Sequence, residues 1–109
     1  MPRGTERLRT LNDQLRKTLH GGHVFMTSGI AGLGEEAVSR LLQTLTTFDD
    51  FCEANDPYQE HDFGAFNFDQ NQIFFKIDYY DKNLTAYSPN PADPEVTQRV
   101  ITVMLAEEY

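Results

Sequence analysis

The chain has 109 residues, of which 39% are apolar and 24% are charged, and its formal net charge is −8. These values are typical of one folded domain spanning 1–109, and they exclude a disordered chain. The longest apolar runs are too short to cross a bilayer, and we expect no secretory signal at the N-terminus. Cys52 is the only cysteine, so no disulfide can form within the chain and a cytoplasmic location is favoured.

The charges are distributed unevenly along the chain. No lysine or arginine occurs between Leu41 and Phe75, but the same stretch contains the carboxylates of Asp49, Asp50, Glu53, Asp56, Glu60, Asp62 and Asp69. Such a stretch repels phosphates and attracts basic protein surfaces, so we expect no direct nucleic-acid partner. Five basic residues precede His20, namely Arg3, Arg7, Arg9, Arg16 and Lys17. Most often such residues form a solvated helix face, and a nucleic-acid or lipid patch is the alternative.

Two segments predict amphipathic helices. The first begins at Thr5, a suitable N-cap, and ends near His20, where Gly21 and Gly22 follow. The second runs from Glu35 to Thr47 and has carboxylates in its first turn. The apolar stripes at helical spacing are Leu8, Leu11, Leu15 and Leu19 in the first helix and Val38, Leu41, Leu42, Leu45 and Phe48 in the second. The charged residues expected to face solvent on the first helix are Arg7, Arg9, Asp13, Arg16 and Lys17.

A third helix is predicted from Pro94 to Glu107. Asp93 and Pro94 form a suitable N-cap and first helical residue. The apolar residues that follow are Val96, Val100, Ile101, Val103, Met104 and Leu105. Glu107 and Glu108 would oppose the dipole at the C-terminal end of this helix, which suggests that they serve solubility or a partner.

The remaining regular segments predict strands. His23 to Thr27 is a short strand, and Gly64–Phe68 with Gln72–Tyr80 form a β-hairpin around the turn Asp69-Gln70-Asn71. Leu84 to Tyr87 is a candidate last strand. In the second hairpin strand, one face consists of Ile73, Phe75, Ile77 and Tyr79, and the other of Phe74, Lys76, Asp78 and Tyr80. We therefore predict an α+β fold, with three helices packed on a small antiparallel sheet of three or four strands and a central β-hairpin.

The segment from Asp49 to Asp62 predicts a long irregular loop. It has no clear periodicity, and Asn55-Asp56-Pro57 is a turn signal. Long ordered loops in small domains are often functional. We expect Phe51 and Tyr58 to anchor this loop to the core.

The histidines allow, but do not favour, a catalytic or metal site. His20 and His23 flank a glycine pair, yet the chain has no HExxH or CxxC motif, so we predict no metal and no cofactor. His61 lies between Glu60 and Asp62, and a histidine among carboxylates can act as a general acid. A small hydrolase or metal-assisted enzyme that uses His61 with Asp62, Asp78 or Asp81 is therefore an alternative, although no nucleophile is evident and we assign no catalytic residue.

The leading hypothesis concerns the acidic surface. Carboxylates without neighbouring cations can imitate the phosphates of a duplex and attract a protein groove built for nucleic acid. The predicted partner is thus the basic surface of a nucleic-acid-binding protein. The predicted binding residues are the carboxylates Asp49, Asp50, Glu53, Asp56, Glu60 and Asp62, with Phe74 and Tyr80 as apolar anchors. A further alternative is an oligomerising scaffold that uses the aromatic face of the hairpin.

Three blocks of sequence carry a family resemblance. They are FDDF with NDPYQEHDFGAF, then IFFKIDYYD, and finally DPEVTQRVITVMLAEEY. Together they resemble a bacterial family known as a domain of unknown function, and the likeness runs from about Leu8 to Tyr109. The resemblance implies a small stand-alone protein, often found on plasmids and mobile elements near antirestriction genes. It brings no catalytic residue, and it implies an anti-defence inhibitor, of the anti-CRISPR or antirestriction type, that acts on a CRISPR effector or restriction enzyme.

Overall fold

The computed structural model describes residues 2–109, with side chains from Gly4 onward. The order of elements confirms an α+β fold. The helices are α1 (Pro2–Thr18), α2 (Ser28–Ala31) and α3 (Glu35–Thr47), the strands are β1 (His23–Met26), β2 (Phe63–Phe68), β3 (Asn71–Tyr80) and β4 (Gln98–Leu105), and a 3-10 turn covers Ala106–Glu108. Within this described part of the chain, no helix has the length and apolar character needed to cross a membrane.

The four strands form one sheet in the order β1-β4-β3-β2. The predicted hairpin is confirmed: β2 and β3 pair in antiparallel fashion, with Phe63 opposite Lys76 and Phe68 opposite Asn71. β3 also pairs antiparallel with β4. β1 pairs parallel with β4, so the sheet is mixed, not wholly antiparallel. β3 is an internal strand and β2 lies at the edge.

The helices cover one face of the sheet. The predicted alternation of β3 is confirmed, because Ile73, Phe75 and Ile77 are buried in the core. Their partners from α1, α3 and β4 are Leu8, Leu15, Leu41, Leu45, Ile101 and Val103. The opposite face of the sheet carries Phe74, Lys76, Asp78 and Tyr80 from β3, which are half-buried or exposed.

The predicted C-terminal helix is wrong: residues 98–105 form strand β4. β4 lies between β1 and β3, and both of its faces are largely buried. A strand buried on both faces shows a continuous apolar run, which periodicity cannot distinguish from a buried helix. The cap signal has another explanation, since Asp93 Oδ1 accepts a hydrogen bond from the Glu95 amide at 2.9 Å and closes a tight turn.

The end of the chain also differs from expectation. The Glu108 carboxylate accepts hydrogen bonds from the Gly29 amide at 3.0 Å and from the Leu105 amide at 2.8 Å. Together with a hydrogen bond from the Thr27 hydroxyl, these contacts lower the pKa of Glu108. Glu108 therefore ties the last turn to α2 and is not an unpaired charge held for solubility.

Three smaller predictions are corrected. Thr5 lies inside α1, which begins at Pro2, so it is not the N-cap. Arg3, one of the basic residues before His20, has a side chain that lies outside the described part of the structure. Leu84–Tyr87 forms no strand and contributes only one bridge, between Tyr87 and Tyr80. Tyr58 is 75% exposed and does not anchor the loop, whereas Phe51 packs against the core, as expected.

Gly64 allows close packing between β2 and the core. A Cβ atom at this position would collide with the rings of Phe75 and Phe48, both of which are buried. We expect Gly64→Ala to lower the free energy of unfolding by about 1–3 kcal/mol, because the buried rings must shift to make room. Urea denaturation measures this change. The exposed Asn67 on the same strand supplies the control, and an equal effect of Asn67→Thr would contradict the packing explanation.

Candidate functional site

A buried polar network centred on Asn12 joins α1 to the sheet and to the loop from Asp49 to Asp62, which we call the acidic loop. The Asn12 side chain is fully buried. Its Nδ2 donates to the Glu60 carbonyl at 2.9 Å and to the Tyr79 hydroxyl at 2.8 Å. Its Oδ1 accepts from Arg99 Nε at 2.8 Å, and the Arg99 guanidinium also donates to the Pro91 carbonyl. One amide thus connects α1, the loop, β3 and β4.

A second set of contacts attaches the loop to α1 through His61. His61 Nδ1 lies 2.8 Å from Asp13 Oδ1, and its Nε2 lies 3.6 Å from Asp56 Oδ2. The imidazole stacks on the Phe51 ring, with centroids 3.8 Å apart and planes 3° apart. Arg16 donates to Asp13 at 2.9 Å. These contacts hold the loop against α1. We call this group of side chains, namely His61, Asp13, Asp56, Phe51 and Arg16, the His61 clamp.

The His61 clamp corrects the prediction that Asp13 and Arg16 face solvent. Arg16 is only 1% exposed and lies over the Phe51 ring, 5.0 Å from its centroid. Burial acts to raise the pKa of Asp13, but hydrogen bonds from Arg16 and His61 prevail and leave this pKa below its ordinary value. These residues hold the loop and contribute no free charge to the surface.

Asp56 is also structural. Its side chain is buried, and its Oδ1 accepts hydrogen bonds from the amides of Glu60 and His61, each at 3.0 Å. Gln59 and His61 both have a backbone φ of 57°, a conformation that L-residues seldom adopt and that these hydrogen bonds help to hold. Asp56 therefore shapes the end of the loop and is withdrawn from the predicted binding surface.

Glu60 and Asp62 form a crowded pair of carboxylates, which we call the acidic junction. Burial, together with the charges of Asp56 and Asp78, raises the pKa of Asp62. Burial and the neighbouring Asp62 raise the pKa of Glu60. Among the side chains that the structure describes, no lysine, arginine or histidine forms an ion pair with either carboxylate. The junction is the place where the fold concentrates uncompensated negative charge.

Two clefts border the acidic junction. Asp62 lines a cavity of about 250 Å³ together with Asp78, Tyr80 and Tyr87. Glu60 lines a second cavity of about 300 Å³, which Tyr79 and Tyr87 also line. Tyr87 is 70% exposed and Tyr80 is 37% exposed, so aromatic surface adjoins the carboxylates.

The other predicted binding residues lie at separate places. Asp49, Asp50 and Glu53 are exposed in the first half of the loop, before the buried Asp56. Phe74 is half-buried on the face of the sheet opposite the helices, which we call the open face. The centroid of its ring lies 5.2 Å from that of Phe63 and 5.7 Å from that of Tyr109. The structure thus places Asp62 near Glu60 and beside Tyr80, and leaves Phe74 in a different aromatic cluster.

Of the three carboxylates proposed to work with His61, Asp78 and Asp81 are engaged elsewhere, and Asp62 belongs to the acidic junction. The contacts of His61 come from Asp13 and Asp56. Asp78 pairs with Lys76 at 3.1 Å, and Asp81 accepts from the Thr85 amide at 3.0 Å in a tight turn. His61 therefore has carboxylates beside both ring nitrogens, an arrangement that suits a structural clamp.

The other histidines form no metal site in the described part of the chain. His23 Nε2 lies 3.0 Å from the Gln98 side-chain oxygen. No group of three or more metal-binding side chains occurs among the described residues.

We expect Asn12→Ala to destabilise the protein by about 3 kcal/mol, because it leaves the buried Arg99 Nε and the Glu60 carbonyl without their partner. Thermal and urea unfolding measure the loss. Gln14→Ala, at an exposed position on the same helix, is the control and should change stability by less than about 0.5 kcal/mol. Similar stabilities for the two variants would contradict the role given to Asn12.

We expect Asp62→Asn to stabilise the protein increasingly as pH rises. The folded-state pKa of Asp62 lies above its ordinary value of 3.8, so the folded protein holds this proton more tightly than the unfolded chain. The stability contributed by protonated Asp62 is therefore lost as pH rises through the folded-state pKa. Asparagine cannot ionise, so the variant avoids the free-energy cost of ionising a half-buried carboxyl.

Urea unfolding at a series of pH values from about 3 to about 8 tests this sign. As pH rises, the unfolding free energy of Asp62→Asn should increasingly exceed that of the wild type. Asp50→Asn, at an exposed loop position, is the matched control and should show a flat difference. Parallel pH profiles for the two variants would contradict the strain assigned to the acidic junction.

Comparison with known proteins gives one family. Residues 26–108 match the family model described as Protein of unknown function (DUF3768). No curated protein and no solved structure matches significantly. The matched segment contains the acidic junction, the hairpin and β4, whereas Asn12 and Asp13 precede it. Because the match covers most of its length, the chain belongs to the DUF3768 family of proteins of unknown function.

Proposed function

We propose that this protein is a non-enzymatic binder that presents its acidic junction and loop to a basic surface of a nucleic-acid-binding protein. The observation that carries the proposal is the pair of half-buried carboxylates, Glu60 and Asp62, which lack an ion-pair partner among the described side chains and whose pKa values are raised by burial and by neighbouring carboxylates. Residues that are kept under electrostatic strain are characteristic of functional sites.

A basic partner would relieve that strain. A lysine or arginine placed at the acidic junction supplies the missing cation and forms charge-assisted hydrogen bonds with both carboxylates. Asp49, Asp50 and Glu53 extend the negative surface along the loop, where long-range attraction accelerates encounter. Tyr80 and Tyr87 add exposed aromatic surface beside the charges, which is typical of the centre of an interface.

The rigidity of the loop supports recognition. The Asn12 network and the His61 clamp hold both the backbone and the side chains of the loop end in place. A pre-ordered acidic surface binds without the entropic penalty of ordering a flexible segment. Ordered carboxylates can therefore act as a mimic of nucleic-acid phosphates and compete for the same groove.

The class of partner is inferred from the family resemblance. The resemblance implies that family members occur near antirestriction genes, which would favour an anti-defence inhibitor that acts in the cytoplasm on a CRISPR effector or a restriction enzyme. The hydrolase alternative is not favoured, because the carboxylates that contact His61 are Asp13 and Asp56, which hold the loop, and not the predicted Asp62, Asp78 or Asp81.

Charge reversal at the loop tests the proposal. We expect the triple variant Asp49→Lys, Asp50→Lys, Glu53→Lys to lose more than about 30-fold in affinity for the partner captured by the wild-type protein. Neutralising the junction with Glu60→Gln and Asp62→Asn should weaken binding by a comparable factor. Raised salt should weaken binding of the wild type, because exposed charges are screened.

The matched control is Glu6→Lys, Glu95→Lys, Glu107→Lys, which makes the same change of net charge at exposed positions outside the loop. It should retain most of the wild-type affinity, and the captured partner should lose nucleic-acid binding when the wild-type protein is added. Unchanged partner binding by the loop triple variant and the junction variant would contradict the proposal.

A further inference from the structure

Strand β2 has an open backbone edge. The Ile77 amide donates to the Asp62 carbonyl at 2.8 Å, which marks these opposed residues as a hydrogen-bonded pair of the β2–β3 ladder. Bonded and non-bonded pairs alternate along an antiparallel ladder. The N–H and C=O groups of Phe63, Ala65 and Asn67 therefore point away from β3. In the described part of the chain, none of these groups takes part in a hydrogen bond beyond the sheet.

This edge lacks the usual protection against an added strand. Natural edge strands are blunted by charged side chains, prolines, bulges or shortness. β2 has six residues, FGAFNF, none of which is charged or a proline. Its register with β3 is continuous from Phe63 to Phe68, so no bulge interrupts it. The opposite edge strand, β1, has only four residues.

Negative charge lies at both ends of the β2 edge. Glu60 and Asp62 precede the strand, and Asp69 follows it in the hairpin turn. Arg40 pairs with Asp69 at 3.0 Å, but it also pairs with Glu36 at 2.7 Å, so this group of three side chains keeps a net negative charge. A strand with basic ends would be attracted to this edge, whereas a second copy of this chain, with its net charge of −8, would be repelled.

An aromatic surface adjoins the same edge on the open face of the sheet. The rings of Phe63, Phe74 and Tyr109 contact one another, with centroids 5.2 to 5.9 Å apart. Ala65 lies opposite Phe74 in the register, so a small side chain leaves room beside these rings. Apolar side chains of an added strand would cover this surface.

We propose that β2 is a docking edge that takes an extended, basic-ended segment of a partner protein as a fifth strand of the sheet. Backbone hydrogen bonds to Phe63, Ala65 and Asn67 would supply affinity, and side chains on alternate positions would supply selectivity. This inference rests on the proposed function only for the basic character of the partner. It adds the manner in which that partner is held.

A synthetic peptide of alternating valine and threonine with paired lysines at each end is the probe. We expect it to shift the NMR amide signals of Phe63, Ala65 and Asn67 and to slow their hydrogen exchange. It should bind at least tenfold more tightly than the same peptide with glutamate ends. N-methylation of the alternate peptide residues whose N–H groups point toward β2 should abolish binding, whereas N-methylation of the residues whose N–H groups point away should not.

A protein variant gives an independent test. Ala65→Pro removes an outward N–H without removing a ladder hydrogen bond, so an edge strand should tolerate it. We expect this variant to unfold near the wild-type temperature and to bind the lysine-ended peptide at least tenfold more weakly. If it does not fold, the N-methylated peptides decide the question on the wild-type protein.

The proposal is overturned if the amide shifts centre on β1, if glutamate-ended peptide binds equally well, or if both N-methylated peptides bind. It is also overturned if the free protein self-associates through β2, which sedimentation and protection of the same amides would show. The charge-reversal experiment tests the proposed function separately. If the loop triple variant loses partner binding but the peptide causes no response at β2, the proposed function stands and the docking edge is overturned.

Discussion

The fold depends on the buried side chain of Asn12. This amide accepts a hydrogen bond from Arg99 and donates two, to Tyr79 and to the Glu60 carbonyl, so every polar atom it carries is used. A buried network of this kind fixes a unique arrangement, because any other packing leaves polar groups without partners. The loop that follows α3 has no regular structure of its own, and its position therefore comes from α1 and the sheet.

That positioning explains how like charges stay together. The Asn12 network holds the Glu60 carbonyl and the His61 clamp holds His61, so the backbone positions of Glu60 and Asp62 are fixed close together. Burial, together with neighbouring carboxylates, raises the pKa of both groups. Natural proteins usually tolerate such strain where function requires it. The proposed basic partner and the proposed docking edge would share one continuous surface, because Glu60 and Asp62 directly precede β2.

The sequence predicts local patterns well and long-range polar contacts poorly. The alternation from Ile73 to Tyr79 and the spacing of Leu41 and Leu45 identify β3 and α3, because each buries a single face. The sequence of β4 predicts a helix, because both faces of this strand are buried and its apolar run has no period of two. The sequence also predicts that Arg16 and Asp13 face solvent, because nothing in their spacing shows that His61, 48 residues from Asp13, contacts Asp13. The acidic loop was recognised by composition, but only its contacts separate the structural Asp56 from Glu60 and Asp62.

The central claim is that the acidic junction is strained when free and relieved when bound. Its most direct test is an NMR titration of the Glu60 and Asp62 carboxyl carbons, in the free protein and in its complex with the partner captured by the wild type. We predict pKa values above the ordinary range for both carboxyls in the free protein and a fall of both on binding. Ordinary pKa values in the free protein, or raised values that do not change in the complex, would contradict the proposal.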